Sequence, residues 1–326
     1  CGLPAMRAMP VPAFVVPTLE VDAIVNCAGR SAQIGCAVNG RSSARRFARF
    51  RPGGAPSSDA ADDEWVRSAS STIDHLVTIW GLQVGPPLVH DGETCLVLPA
   101  VRRDGSEAVL KLSKPGIAVT REAEALALVD GSCAVRLLAS DVDRGALLLE
   151  RADAGRRLDE EADREQAIDT AVDILLRWWR PVPQPSSIHT VQEINLDPHR
   201  ALAGRKRWLA RRIPVRQVER ALEVLAEVPS EAVLLHTDLH LGNVLMSQRA
   251  GWVAIDPQPL IGPRVHDLEP LIREAAVVPS SLARARLDRM VERAGLDRDE
   301  AARSILARGL VAVSYTHLRA HETVLD

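Results

Sequence analysis

The sequence predicts an α+β protein of two lobes, an antiparallel-sheet lobe followed by a mainly helical one. The chain of 326 residues exceeds the usual span of one compact domain. Up to Glu150 it carries short apolar runs of strand length joined by Asp/Gly turns, with one helix between them. Beyond Glu150 the apolar residues recur at helical spacing. A cleft between two such lobes is the usual place for a ligand. Hydrophobic residues make up 46% and charged residues 25%, and the net charge of −3 argues against a general nucleic-acid-binding surface. The five cysteines lack Cys-x-x-Cys spacing and read as reduced thiols. No apolar run nears the roughly 18 residues a membrane span needs, and Val11 to Ala28 is broken by Pro12, Pro17, Glu20 and Asp22. The expectation is a cytoplasmic protein with no nucleic-acid or membrane partner.

Residues 1–60 combine scattered prolines, a basic cluster from Arg41 to Arg51 and the Pro52–Ser58 run, which predicts a poorly ordered extension. Residues 61–150 form the expected first lobe. Its opening helix starts at Asp62, Asp63 and Glu64, carries Trp65, Ala69, Ile73, Leu76 and Trp80 at helical spacing, and stops at Gly81. Thr94–Pro99 and Ala108–Leu112 read as a hairpin around Asp104-Gly105. A helix from Val119 to Val129 puts the carboxylate of Glu122 on its inward stripe, where a charge needs a partner. Ala134–Ala139 and Ala146–Leu149 read as two further strands.

Residues 151–313 form the expected helical lobe, with helices at Glu160–Trp179, ended by Pro181 and Pro183, at Arg216–Val228 and at Asp299–Val313. One strand-like island, Ala232–Leu235 and Trp252–Ile255, brackets a polar cluster. Residues 314–326 change composition abruptly, hold the only tyrosine, and are expected to be a non-native tail in place of a C-terminal helix.

The polar cluster reads His236-Thr237-Asp238-Leu239-His240-Leu241-Gly242-Asn243, and Asp256 follows thirteen residues after Asn243 at the end of a strand. Phosphoryl transfer from ATP needs a carboxylate to orient the attacking hydroxyl and oxygen ligands to hold Mg²⁺ against the phosphates. Asp238, Asn243 and Asp256 have the residue types and offsets for those tasks. A polar turn between buried strands, or a metal site at His236, Asp238 and His240, leaves the Asn243 and Asp256 spacing unexplained. Lys111 is one of three lysines in an arginine-rich chain and lies inside an apolar strand, which suits an ammonium reaching phosphates. Glu122 is the carboxylate expected to hold it, with Glu124 as the fallback.

At these residues the chain resembles the aminoglycoside phosphotransferase family, most closely its branch of streptomycin 6-kinases and hydroxyurea-resistance kinases. The resemblance spans about residues 62 to 312 and includes Ala134–Leu138, Leu147–Arg151 and Asp267–Leu271. It implies a two-lobed protein-kinase-like fold, ATP and Mg²⁺ as cofactors, and as acceptor a cationic aminoglycoside, with streptomycin first, or alternatively another small hydroxyl compound such as hydroxyurea. It further implies Asp238 as catalytic base, Asn243 and Asp256 as metal ligands, and Lys111 with Glu122 at the phosphates. The resemblance also implies that Glu150 and Arg151 lie in a hinge, Leu148–Arg151, whose backbone meets adenine, that Val89–Thr94 covers the phosphates, and that His236 and Asp267 support the catalytic loop. Thr237 stands where the family usually has Gly, Leu241 where it has Pro, and Gln258 where this branch often has Lys. The Gly262–Asp267 loop also departs from the family's pattern.

Overall fold

A computed structural model describes residues 60–86, 88, 95–194, 214–228, 231–274 and 280–322. The N-terminal extension and the Val89–Thr94 segment lie outside the described residues. Five antiparallel strands build the first sheet: β1 (Gln83–Val84), β2 (Cys95–Val101), β3 (Glu107–Ser113), β4 (Leu137–Asp141) and β5 (Ala146–Glu150). Their spatial order is β1-β2-β3-β5-β4. Helices α1 (Ala60–Trp80) and α2 (Ile117–Val129) accompany this sheet. The pleat decides what each face carries. On β3, Leu110 and Leu112 join Ala69 and Leu76 of α1 in one apolar cluster. Val109 and Lys111 point to the opposite face, where α2 lies. Gly145 turns β4 into β5 with φ 73°, and a Cβ there would sit 2.1 Å from the Ser113 carbonyl oxygen. Only glycine fits that close approach.

The second part holds α3 (Arg164–Trp178), α4 (Val215–Ala226), α5 (Glu269–Glu274), α6 (Ser280–Ala294) and α7 (Arg298–Glu322). Threaded among them are β6 (Asp153–Arg157), β7 (Val233–Leu235), β8 (Val244–Ser247), β9 (Gly251–Ala254) and β10 (Leu260–Gly262). They form a three-stranded sheet, β6-β8-β9, and a two-stranded one, β10-β7. One continuous core runs from Val119 and Leu126 of α2, through Leu147, Leu149 and Trp178, to Leu306 and Leu310 of α7. Among the described residues no helix is long and apolar enough to cross a membrane.

The strand expected at Ala134–Ala139 begins later, at Leu137. Its first residues instead reach β9: Ala134 bridges Ala254 in parallel, the Ala254 N–H donates to the Cys133 carbonyl at 2.8 Å, and the Val135 N–H donates to the Ala254 carbonyl at 3.1 Å. One apolar run therefore serves both sheets. At the other end, α7 continues as helix from the expected stop at Val313 through Glu322.

Helices α3 and α6 are joined by an ion-pair ladder in which Arg286 meets Glu165, Arg289 meets Asp169 and Arg293 meets Asp173, each at 2.5–2.7 Å. The helical spacing of both sets puts them on facing stripes. Asp169 is the buried rung, with a side chain 7% exposed. Asp169→Ala is expected to cost roughly 1–3 kcal/mol, read as a lower urea midpoint with an unchanged m-value.

Candidate active site

The β8–β9 hairpin brings the polar residues together. Val244 pairs with Ala254 at its open end, and the Ile255 N–H donates to the Asn243 carbonyl at 2.9 Å. Asn243, at the end of the 3₁₀ turn Leu241–Asn243, therefore lies beside Ile255-Asp256, although thirteen residues separate Asn243 from Asp256. Upstream, β7 ends at Leu235 and delivers His236, Thr237 and Asp238 into the same place. Thr237 (φ 59°) and Asp256 (φ 55°) are left-handed, a conformation costing a non-glycine residue about 1–3 kcal/mol unless its surroundings impose it.

Asp267 imposes it at Thr237. Presented by the 3₁₀ turn Arg264–Leu268 and wholly buried, its carboxylate accepts the N–H of Thr237 at 2.7 Å, of His236 at 3.0 Å and of the Trp179 indole at 2.9 Å. Burial pushes the Asp267 carboxyl upward, against the pull of those three donors. The Thr237 hydroxyl donates to the Gln258 carbonyl at 2.5 Å.

From the first lobe, Lys111 Nζ reaches both oxygens of Glu122 at 2.8 Å and Asp256 Oδ1 at 2.5 Å. Its side chain is 12% exposed. Burial alone would lower the ammonium's pKa, but Glu122 and Asp256 more than reverse that and hold it charged. Burial likewise raises Glu122, opposed by Lys111. The fallback, Glu124, is occupied elsewhere: it accepts the hydroxyls of Ser186 and Ser187, each at 2.5 Å, and the Ser187 N–H at 2.9 Å.

Asn243 uses its amide NH₂ on the Asp238 carbonyl at 3.0 Å, which anchors the side chain through its nitrogen and keeps the side-chain oxygen for another partner. With Asp256 beside it, that leaves an all-oxygen donor pair of the kind Mg²⁺ takes. The imidazoles of the same loop are differently employed. His236 sits against the Trp178 ring at 4.8 Å, with Nε2 on the Ile255 carbonyl at 3.1 Å and Nδ1 facing the Asp238 N–H at 3.4 Å. His240 Nδ1 accepts the Gly242 N–H. Among the described residues no three His, Cys, Asp or Glu side chains gather to hold a metal ion, so the His236, Asp238 and His240 alternative has no geometric support.

The family described as aminoglycoside/hydroxyurea antibiotic resistance kinase matches residues 80–317. The chain belongs to this family. It is 38% identical to a hydroxyurea phosphotransferase of Kitasatospora aureofaciens over 76% of this chain and 73% of that protein. It is 33% identical to a streptomycin 6-kinase of Streptomyces glaucescens over 73% of this chain and 80% of that protein. In fold it is similar to the crystal structure of a macrolide 2'-phosphotransferase from Brachybacterium faecium, with a TM-score of 0.52 at 19% identity, covering 79% of this chain and 96% of that one. The two-lobed kinase fold predicted from the sequence is therefore the fold of this resistance kinase.

At its points of departure, the kinase keeps a continuous loop. Leu241 is buried in the main core, and Gln258 Nε2 lies 3.5 Å from Asp238 Oδ2. Glu150 and Arg151 turn their side chains toward protein partners. Glu150 takes Arg249 at 2.9 Å, the Ser247 hydroxyl and the Arg136 N–H, while Arg151 pairs with Glu107 at 3.2 Å. Trp179 and Arg308, whose Nη2 donates to the Thr237 carbonyl at 3.1 Å, also support the loop. Sequence reasoning missed both, because they lie 88 residues from Asp267 and 71 residues from Thr237 with no local motif to mark them.

Burial also sets an acid limit. It pulls His236 down to about 4 and His266 well below its ordinary value, the latter helped by Arg308. Between about pH 6.5 and 4 the unfolded chain binds protons that these folded imidazoles refuse, so stability falls as pH falls through that window. The raised Asp267 pulls the other way, so the histidines are read by difference. The urea midpoint of His266→Gln is expected to change less between pH 6.5 and 5 than that of the wild type.

Proposed function

We propose that this kinase transfers the γ-phosphoryl group of ATP to a hydroxyl of a cationic aminoglycoside, with streptomycin as the first candidate. The observation that carries the reading is the Lys111 ammonium, held by Glu122 from one lobe's helix and by Asp256 from the other lobe. That arrangement joins a phosphate-binding cation to a metal-binding carboxylate across a cleft. Asn243 Oδ1 and the Asp256 carboxylate would hold Mg²⁺, which would supply positive charge to neutralise the negative charge developing on the phosphates. Lys111 binds the non-transferred phosphates. Asp238, fixed by its loop, orients the attacking hydroxyl and accepts its proton. The backbone of Leu148–Arg151 meets adenine.

A second reading, phosphorylation of the hydroxyl of hydroxyurea, is favoured by the 38% identity to a hydroxyurea phosphotransferase. Both are tested by incubating the purified chain with Mg²⁺, γ-labelled ATP and either compound. Label on streptomycin supports the first, and label on hydroxyurea alone supports the second. Label on neither, or undiminished labelling by Asp238→Ala, removes the assignment.

A further inference from the structure

We propose that Arg308, on the long helix α7, is a positioning residue that fixes the peptide carrying Asp238. The proposal rests on the phosphotransfer reading, which gives Asp238 its role as base. The Thr237–Asp238 peptide is held at both ends. Its carbonyl accepts Arg308 Nη2 at 3.1 Å, and its N–H faces His236 Nδ1 at 3.4 Å. The preceding peptide is held by Asp267 through the Thr237 N–H. The Asp267 carboxylate grips the preceding N–H at 2.7 Å, and Arg308 is the charged donor on the carbonyl side, where it makes a charge-assisted bond to the peptide that carries Asp238.

Thr237 is also where the grip matters most. A β-branched residue at φ 59° returns to an extended conformation when its constraints are released, and that rotation swings the next peptide and the Asp238 side chain with it. The Arg308 guanidinium is aimed by Glu269, whose Oε2 lies 3.6 Å from Nε and whose side chain is 6% exposed. Arg308 Nε itself makes no hydrogen bond, so the side chain is oriented by charge on one side and by the Thr237 carbonyl on the other. A cavity of about 280 Å³ adjoins it, walled by Val224 of α4, by His266 and by Ser304 of α7. That volume admits a small planar cation.

The test uses the full chain with Arg308→Ala and Arg308→Lys. In Arg308→Ala, kcat is expected to fall roughly tenfold to a hundredfold, the scale of a misplaced reacting group, while the KM for ATP changes less than about twofold. Amide hydrogen exchange should quicken in peptides spanning His236–His240 and stay unchanged in β2, β3 and β5. Millimolar guanidinium ion, entering the adjoining cavity, should restore part of kcat in Arg308→Ala and none in the wild type. Arg308→Lys, which keeps the charge on a shorter reach, should fall between. Unchanged exchange at His236–His240, a parallel rise in the KM for ATP, or failure of guanidinium to restore turnover would each overturn the proposal. If the wild type phosphorylates neither streptomycin nor hydroxyurea, the phosphotransfer reading fails by itself, and the exchange comparison still decides whether Arg308 holds the loop.

Discussion

Asp238→Ala is expected to lower kcat by about 10²–10⁴-fold, the usual contribution of a positioned general base, with little change in Mg-ATP affinity. Asp256→Ala should behave differently. It removes the proposed metal ligand together with one of the two carboxylates on Lys111, leaving the ammonium with Glu122. Both kcat and nucleotide affinity are then expected to fall, and the nucleotide affinity that remains should lose its dependence on Mg²⁺. Isothermal titration with a non-hydrolysable ATP analogue, with and without Mg²⁺, separates the two variants. Equal, mild effects on binding and turnover would show that the two aspartates have been given the wrong tasks.

Asp267→Ala is expected to be the most destabilising single change at the site. Three N–H donors, from His236, Thr237 and the Trp179 indole, converge on this buried carboxylate. Truncation leaves all three without an acceptor in a place water does not reach, and each such loss costs about 1–3 kcal/mol. A total near 3 kcal/mol or more is a large part of the 5–15 kcal/mol that separates most folded domains from their unfolded chains. Urea unfolding reads the loss directly. Asp267→Asn keeps one acceptor oxygen and should recover part of it. If Asp267→Ala unfolds at the wild-type midpoint, the carboxylate is not what holds Thr237 in its left-handed conformation.

The sequence made the grouping of the candidate site residues legible and left their supports hidden, for physical reasons. Asp238, Asn243 and Asp256 are linked by a short loop and one hairpin, so their spacing along the chain encodes their proximity. Lys111 and Glu122 were readable because strand and helix periodicities each assign a side chain to a face. The sheet order, the β6 and β8 strands and the sharing of Ala134–Val135 between two sheets were not readable. Such pairings are short and depend on which distant edge is available. Arg308 and Trp179 look like ordinary residues of amphipathic helices until the fold carries them to the loop. The choice between Glu122 and Glu124 needed the rotation of one helix, which the structure supplies through the Ser186 and Ser187 hydroxyls.

The two backbone hydrogen bonds that tie Cys133 and Val135 to Ala254 act as a stitch immediately before Asp256. A body pivoting about another moves least where the two are sewn together. Any yawning of the cleft to admit or release a nucleotide should therefore leave Asp256 almost stationary against the strand bearing Lys111, while the outer lip travels furthest. The corner occupied by Lys111 and Asp256 would thus keep its dimensions throughout the cycle of entry and exit.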